Sequence, residues 1–468
     1  MLFNSIEFLL FFLVVTTLYY LLPYKYRWVL LLLASCYFYM AFVPVYILIL
    51  GFTIIVDYFA GLYIEKNTGR KRKLLLIVSL VANIGVLCVF KYYNFLNANL
   101  SFLLAAGGHK DPFPFLSILL PIGLSFHTFQ AMSYTIEVYR GNQPAEKSFG
   151  IYALYVMFYP QLVAGPIERP QNLLHQFREK HDFNSYNVSS GLKQMLIGFL
   201  KKLVIADRIS IYVDTVYNNS ASQNGRSLAC ATIFFAFQIY CDFSAYSDIA
   251  IGAAKTMGFD LMKNFNRPYL ATSISQFWRR WHISLSTWFK DYLYIPLGGS
   301  RVKHKYRQYL NLLIVFTISG LWHGANWTYL VWGGLNGLFL IVESALPTVH
   351  IAKNWLLTTL KTLITFFAVC TTWVFFRAEN VSQAFIILRK IIKFDGPLYP
   401  GNPKDHFYYA AAAIFFLIFF EWVAEYKPRL YQYIPNNYIT RLGYYTFIVA
   451  IIMLFGVFGG GQFIYFQF

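Results

Sequence analysis

The chain has 468 residues, of which 57% are hydrophobic, 20% aromatic and only 13% charged. This composition excludes an ordinary soluble domain, in which about 25% of the residues are charged. The formal net charge of +18 does not indicate nucleic-acid binding, since the cations interrupt apolar runs and do not form a stripe on one helix. We therefore expect membrane lipid to surround most of the chain and no nucleic acid to be a partner.

The N-terminal part predicts four membrane spans. Residues 6–22 form a span that is retained, because it lacks the basic start and the small-residue cleavage site of a signal peptide. A hairpin over residues 28–63 and a span over residues 74–96 follow. The basic residues 66–73 favour the cytoplasmic side, which puts the N-terminus outside. For the whole chain we expect an all-α integral membrane protein of roughly eleven to thirteen spans with re-entrant helices.

Two unusual stretches come next. Residues 115–139 form a predicted span with several polar side chains, so we expect it to face the protein interior, and His127 within it is better explained by packing than by catalysis. Residues 152–170 contain three prolines and cannot form one straight helix, which favours the wall of a cavity. Residues 171–202 are polar and are predicted at the cytoplasmic face.

Residues 229–258 form an otherwise apolar helix that carries polar side chains. These are Asp242, Tyr246 and Asp248. Asp242 and Tyr246 are four residues apart and share a helix face. An intramembrane carboxylate needs a cationic partner, and we expect Arg279 or Arg280 to supply it. A structural ion pair and a direct catalytic role both remain open.

Residues 265–343 contain the candidate chemistry. The first half places His282 and several charges between indole rings such as Trp281, which is too polar for lipid and predicts a re-entrant or interfacial helix. The second half, residues 311–342, has no Asp, Glu, Lys or Arg, is long enough to cross a bilayer and holds His323 near its middle. Each histidine either bonds a neighbouring helix or belongs to a functional site, and we expect the two to lie near one another.

The C-terminal part adds apolar runs at residues 362–376, 407–423 and 444–458. Competing basic clusters leave the routing of these runs open. We take residues 1–458 as one multispan membrane domain, with a catalytic core at about 160–343. Residues 459–468 are predicted to be a flexible tail, because three glycines precede its aromatic end, which includes Tyr465.

Two long runs carry a family resemblance. They are RPYLATSISQFWRRWHISLSTWFKDYLYIPLGGSR and SGLWHGANWTYLVWGGLNG. They resemble the membrane-bound O-acyltransferase family, in its AlgI-like branch of alginate and polysaccharide O-acetyltransferases. The resemblance implies a helical bundle around a central tunnel in a bacterial inner membrane, with His323 as the catalytic residue and His282 as its companion.

The resemblance also implies substrates and partners. The donor is acetyl-CoA as a co-substrate, with no bound cofactor, and the acceptor is an exopolysaccharide or cell-wall glycan reached through a secreted SGNH-type acyltransferase. The ending FIYFQF is similar to the terminal hexapeptide of the alginate and peptidoglycan acetylation branch. This similarity implies that Tyr465 relays the acyl group and that the C-terminus lies outside. D-alanyl transfer to teichoic acid is the near alternative, and FIYFQF counts against it.

The remaining motifs narrow the chemistry. The sequence has no nucleotide-binding loop, dinucleotide fingerprint, zinc-protease motif or serine-hydrolase elbow, and its cysteines have no metal-ligand spacing, so no metal site is predicted. A neutral imidazole can take a proton from a hydroxyl that attacks a thioester. We predict that His323 is this base, that His282 orients donor or acceptor, and that indole and backbone N–H groups stabilise the oxyanion.

Further residues complete the predicted site. Candidates for the tunnel are Asp242, Tyr246, Asp248, Arg279, Arg280, Trp281, Trp322 and Asn326. Candidates for binding the donor phosphates are Lys290, Arg301, Lys303, Lys305 and Arg307, for which simple anchoring at the membrane surface is an equal alternative. Two GxxxG pairs, at Gly320/Gly324 and Gly333/Gly337, permit close helix packing within the chain or between copies. A transporter or flippase is the alternative from another class, although no inverted repeat is evident.

Overall fold

The computed structural model describes residues 1–109, 112–117, 120–346, 354–399, 401, 404–428, 438–459 and 463–464. Within these residues the regular structure is helical and no strand occurs, which confirms the all-α prediction. The chain divides into two compact units, Met1–Met195 with Ser247–Met262, and Leu196–Tyr246 with Lys263–Phe468.

The first unit contains nine α-helices within the described residues. They are α1 (Ile6–Leu21), α2 (Tyr24–Met40), α3 (Ile47–Lys66), α4 (Gly69–Leu87), α5 (Tyr93–Ala106), α6 (Leu124–Arg140), α7 (Phe149–Met157), α8 (Pro170–Leu173) and α9 (Ser185–Phe199), whose last turn belongs to the second unit. A π-helical segment, Cys88–Tyr92, joins α4 to α5. Helix therefore continues beyond residue 96, where the predicted span ends.

The second unit begins with a π-helical segment, Leu200–Ala206. Its described α-helices are α10 (Asp207–Asn218), α11 (Gly225–Thr256), α12 (Ile274–Arg280), α13 (Ile283–Phe289), α14 (Lys305–His323), α15 (Trp327–Ala345), α16 (Trp355–Arg377), α17 (Val381–Lys393), α18 (Asp405–Tyr426) and α19 (Tyr438–Phe455). The part of α11 from Ser247 onward belongs to the first unit.

Within the described part of the chain, five helical stretches are long and apolar enough to cross a membrane by length and composition. They are Pro44–Lys66, Gly69–Ala106, Gly225–Thr256, Trp355–Arg377 and His406–Tyr426. Two shorter apolar helices, Ile6–Leu21 and Ile439–Phe455, come close to that length. The number of spans, roughly eleven to thirteen, stays a prediction.

A buried polar cluster ties three helices of the first unit together. The carboxylate of Asp57 on α3 accepts hydrogen bonds from Ser79 Oγ (2.6 Å) and Asn83 Nδ2 (2.9 Å) on α4. Ser79 Oγ also lies 2.9 Å from Thr135 Oγ1 on α6. Each such bond between membrane helices contributes about 1 kcal/mol. The polar residues of α3, α4 and α6 are therefore explained by helix packing.

Helix α6 begins later than the sequence predicted. It starts after Gly123, which adopts a left-handed conformation with φ 78, so the described residues 115–117 and 120–123 do not belong to the helix. Most residues of α6 are buried, which confirms that this polar helix faces the protein interior. His127 Nδ1 donates to the carbonyl of Gly123 at 3.2 Å, as expected for a packing residue.

The stretch rich in proline is interrupted as predicted. Helix α7 ends at Met157 and α8 begins at Pro170, and residues 158–168 between them are buried without forming a helix. Glu168 lies in this segment, where its carboxylate accepts the backbone N–H of Met262 and burial raises its pKa to about 7. That this segment lines a cavity stays a prediction.

The prediction of one continuous span over residues 311–342 is wrong. Helix α14 ends at His323, and α15 returns from Trp327, so the segment forms a helical hairpin. The side chain of Asn326 accepts the backbone N–H of Thr328 at 3.0 Å and caps α15. Gly, Ala and Asn at the turn are as uncharged as the helices, so composition alone does not reveal the break. His323 therefore lies at the end of a helix.

Glycines allow the two helices of this hairpin to touch. A Cβ atom on Gly320 would lie 2.1 Å from the carbonyl oxygen of Tyr329, and one on Gly333 would lie 2.2 Å from that of Phe316. Real Cβ atoms are not found so close to another heavy atom, so only glycine permits this approach. The GxxxG pairs thus mediate packing within the chain, between α14 and α15.

Candidate active site

His323 lies in a cluster of aromatic rings in the second unit. Only 4% of its surface is exposed. Its ring centroid lies 4.9 Å from Trp322, 5.0 Å from Trp332 and 5.5 Å from Phe376, and all three contacts are edge-on. The edge-on geometry directs ring edges and faces at the imidazole and keeps bulk water away from it.

Trp332, whose indole contacts His323, packs against two further indole groups. Trp332 stacks on Trp373 with centroids 5.8 Å apart and meets Trp278 edge-on at the same distance. The Nε1 atoms of all three are buried and have no hydrogen-bond partner among the described residues. A buried donor without an acceptor costs about 1–3 kcal/mol. Such a donor on Trp332, directly beside the imidazole, indicates a place that receives an acceptor atom from a ligand.

The backbone holds His282 in an uncommon conformation. His282 precedes α13 and has φ 43, in the left-handed region that residues other than glycine rarely occupy. Asn264 fixes this turn, because its carbonyl accepts the N–H of Ile283 at 2.9 Å and its Oδ1 accepts the N–H of Ser284 at 3.2 Å. A strained backbone conformation of this kind persists only where the surrounding contacts enforce it, and such conformations are common at functional sites.

Asn264 also determines the tautomer of His282. The same Oδ1 atom lies 3.1 Å from His282 Nδ1 and accepts the hydroxyl of Ser284 at 2.9 Å. An amide oxygen can only accept, so Nδ1 carries the proton and Nε2 is the acceptor atom of the ring. His282 lies outside the candidate spans, and burial lowers its pKa well below the usual value, with a further contribution from His323. The ring is therefore neutral at physiological pH.

The structure brings the two histidines into one site. The ring centroid of His282 lies 6.4 Å from that of Trp322, which in turn lies 4.9 Å from His323. Trp281, 1% exposed, packs on Trp373 with ring centroids 5.1 Å apart. Asn326 donates to the carbonyl of Glu379 at 3.1 Å in addition to capping α15, so its side chain has a structural use.

The expected partner of Asp242 is wrong. Arg279 is exposed, and Arg280 binds Glu425 at 2.9 Å. Asp242 instead accepts from Lys202 Nζ at 2.7 Å. Lys202 was predicted at the cytoplasmic face but is only 1% exposed. A lysine in the same unit therefore provides the cation that the buried carboxylate requires.

The other two polar residues predicted on α11, Tyr246 and Asp248, belong to different units. Tyr246 is buried on the same face as Asp242, as the four-residue spacing predicted. Asp248 belongs to the first unit, where it accepts from Gln194 Nε2 at 3.2 Å.

The predicted phosphate-binding cations are all exposed on the second unit. They are Lys290, Arg301, Lys303, Lys305 and Arg307. Helix α14 starts in this group and ends at His323, so its length of about 28 Å separates the basic end from the imidazole. A donor that binds these cations must therefore reach along the helix. Their role stays a prediction.

The predicted relay residue, Tyr465, lies outside the described residues. The two described residues before it, Phe463 and Ile464, are 1% and 7% exposed. These two residues are therefore buried, and the flexibility of the tail as a whole stays a prediction.

Three features of the second unit have no clear signal in the sequence. Asn264 had no signal except its place before the aromatic run, and the backbone turn that it holds is not visible in a sequence. Lys202 had an indirect signal, since Asp242 needed a cation. Trp332 and Trp373 were hidden among other apolar residues, because their unused N–H groups appear only once their surroundings are known.

Comparisons with known proteins identify the family of this chain. The sequence pattern of the MBOAT, membrane-bound O-acyltransferase family, matches residues 143–380. The probable alginate O-acetylase AlgI of Pseudomonas aeruginosa is 42% identical over 84% of this chain and 75% of its own length. The peptidoglycan O-acetyltransferase of Helicobacter pylori is 37% identical over 78% of this chain and 74% of its own length.

A more distant relative is the teichoic acid D-alanyltransferase of Bacillus subtilis. It is 26% identical over 56% of this chain and 69% of its own length. The family match covers both His282 and His323 as well as the indole cluster up to Trp373. The chain therefore belongs to the membrane-bound O-acyltransferase family, as its two signature runs implied.

Proposed function

We propose that this protein moves an acetyl group from cytoplasmic acetyl-CoA through the membrane toward an extracytoplasmic polysaccharide or cell-wall glycan. The observation that carries the proposal is the buried His323, which contacts Trp332, whose indole N–H has no partner among the described residues, and which is connected through Trp322 to the neutral His282. The names of the relatives that cover most of this chain, an alginate O-acetylase and a peptidoglycan O-acetyltransferase, favour acetyl over D-alanyl transfer.

His323 acts as the general base in this mechanism. Its neutral imidazole takes the proton of the acceptor hydroxyl as that oxygen attacks the thioester carbonyl. The tetrahedral intermediate collapses, the carbon–sulfur bond breaks, and the imidazolium returns the proton to the leaving thiolate. The products are the acetyl ester and free CoA. His282, with Nε2 as its acceptor atom, orients the hydroxyl that loses its proton.

The indole N–H groups provide the oxyanion site. Trp332 is the best candidate because its ring contacts His323 directly and its Nε1 has no partner among the described residues. Removal of one preorganised oxyanion donor lowers kcat by roughly 10²–10³. Trp332→Phe keeps most of the ring packing and deletes the donor, so it should lower kcat by about 100-fold with little change in KM. Trp355→Phe, at an exposed indole, is the matched control.

The first acceptor of the acetyl group in this proposal is a residue of the same chain, Tyr465. In the proposed relay its phenol receives the acetyl group and passes it to a secreted SGNH-type acyltransferase, which completes transfer to the polymer. This route requires the C-terminus to lie outside a bacterial inner membrane, and the basic residues 66–73 on the cytoplasmic side would put the N-terminus outside as well. Lys303, Lys305 and their basic neighbours would then bind the CoA phosphates on the cytoplasmic side.

Isotopically labelled acetyl-CoA tests the mechanism. The purified protein in detergent should release CoA and acquire the acetyl label on Tyr465, detected by mass analysis of the C-terminal peptide. His323→Ala should abolish both signals without changing the unfolding temperature, whereas His175→Ala, at an exposed histidine, should retain them. A His323→Ala protein that still releases CoA at the normal rate would remove His323 as the base.

A further inference from the structure

A buried charge cluster of the second unit lies outside the acyl-transfer chemistry described above. Lys202 Nζ contacts Asp207 Oδ1 at 2.8 Å and Asp242 Oδ1 at 2.7 Å, and all three residues are buried. Burial of such charges costs several kcal/mol for each ion unless the charges are paired and hydrogen-bonded. Lys202 belongs to the π-helical segment Leu200–Ala206, and π-helical turns often mark functional positions. The cluster therefore carries a desolvation cost that simple packing of the helices does not require.

The cluster binds the described end of the chain. Asp242 uses its second oxygen, Oδ2, to accept the backbone N–H of Ile464 at 2.8 Å. The ammonium group of Lys202 lies 4.3 Å from the ring centroid of Phe463, which is cation–π distance. The ring of Phe463 also meets Tyr246 edge-on at 5.1 Å. One backbone donor and one aromatic ring of the tail thus have specific partners.

The helix before the tail contacts the same π-helical segment. Leu203 forms an apolar cluster with Ile448 and Ile452 of α19, and the N–H of Val457 donates to the carbonyl of Leu203 at 3.0 Å. The segment around Lys202 therefore holds both α19 and the residues after it.

The cluster also adjoins the acyl-transfer site. Phe243 follows Asp242 directly on α11, and its ring centroid lies 4.6 Å from that of His282 in an edge-on contact. His282 is connected through Trp322 to His323, as described above. An anchor at Asp242 thus lies next to a residue that touches the site. The chain continues from Ile464 directly into Tyr465.

We propose that the Lys202–Asp207–Asp242 cluster is a docking site for the C-terminal segment, and that it holds Phe463 and Ile464 so that Tyr465 is presented for acylation. The docking part is independent of the chemistry, whereas the presentation part rests on the proposed acetyl relay. In this proposal Lys202 and Asp242 are positioning residues, and they take no part in proton transfer.

Hydrogen–deuterium exchange of the full chain in detergent tests the docking. Changes in the tail are preferable to changes at Lys202, because removal of a buried cation leaves two carboxylates unpaired. Phe463→Leu removes the aromatic ring and should accelerate exchange of the residue 464 amide about tenfold, since loss of a desolvated cation–π contact has that magnitude. Ile464→Val keeps the N–H donor and should retain the slow exchange. Rapid exchange of this amide in the unmodified protein, or slow exchange in Phe463→Leu, would overturn the docking.

Acetyl labelling separates the docking from the proposed function. Phe463→Leu should reduce labelled Tyr465 about tenfold at an unchanged unfolding temperature, which a purely structural contact would not do. A protected amide in a protein that never labels Tyr465 would support the docking and remove the relay. Normal labelling of Tyr465 in a Phe463→Leu protein with a rapidly exchanging amide would remove the presentation role.

Discussion

Replacement of Gly333 by alanine tests whether the contact between α14 and α15 fixes the position of His323. The new Cβ atom would lie 2.2 Å from the carbonyl oxygen of Phe316, whereas ordinary contact begins at 3.4 Å. Protein interiors are close-packed and have no free space for an added methyl group, so α14 and α15 must separate by about 1 Å. Overpacking of this kind lowers the free energy of unfolding by about 1–3 kcal/mol.

The neighbouring Gly334 provides a matched control. No heavy atom lies within 4 Å of its Cβ position, so Gly334→Ala meets open space. Alanine is about 1 kcal/mol more favourable than glycine in a helix, and this variant should be at least as stable as the unmodified protein. The two variants lie at neighbouring positions, but only the Cβ atom of Gly333→Ala collides with a backbone carbonyl oxygen.

Thermal unfolding in detergent and the rate of CoA release provide the assay. Displacement of a reacting group by 1 Å can cost about 100-fold in rate. Gly333→Ala should therefore unfold at a lower temperature and lose about 100-fold in kcat, and Gly334→Ala should keep both values. Equal kcat values for the two variants would refute the claim that hairpin packing sets the position of His323.

Three further predictions concern other parts of the chain. The raised pKa of Glu168 means that the folded state binds this proton more tightly than the unfolded state does. The contribution of the proton to the free energy of unfolding is therefore full below about pH 4.5, falls between pH 4.5 and 7, and is absent above pH 7. Glu168→Gln should flatten this loss of about 3 kcal/mol, and parallel stability curves of the two proteins from pH 5 to 8 would contradict the prediction. Asn264→Ala removes the acceptor that fixes the His282 tautomer and should lower kcat roughly ten- to a hundredfold without unfolding the protein, which circular dichroism and CoA release would show. Lys303→Gln with Lys305→Gln should raise KM for acetyl-CoA, most clearly at low salt, and leave kcat unchanged; an unchanged KM would favour membrane anchoring.

The sequence predicted the helical class and the two histidines, but not the arrangement that joins them. Apolar runs mark helices because lipid-facing and buried residues are both apolar, so the helices of residues 6–66 were largely correct. The same uniformity concealed the hairpin turn after His323, where only Gly324 and the capping Asn326 give a local signal. A cap and a glycine are weak signals in a run with no charged residue.

Long-range pairing was the second limit of prediction from sequence. Asp242 required a cation, but several were available, and their distances along the chain did not distinguish them. Arg280 was closer in sequence, at 38 residues, than Lys202, at 40, and both were plausible. The choice depends on the π-helical turn that directs Lys202 inward and on Glu425, which binds Arg280. Neither feature has a recognisable sequence pattern.

The site depends on uncharged contacts more than on its surface charges. Close glycine contacts hold the hairpin that ends at His323, and the amide oxygen of Asn264 determines the tautomer of His282. The indole N–H of Trp332 has no acceptor among the described residues. All of these groups are buried. Water does not compensate for a small displacement of a buried group, whereas it readily screens an exposed lysine. Substitutions that change one buried atom group, such as Gly333→Ala or Trp332→Phe, should therefore lower kcat more than neutralisation of the whole basic end of α14.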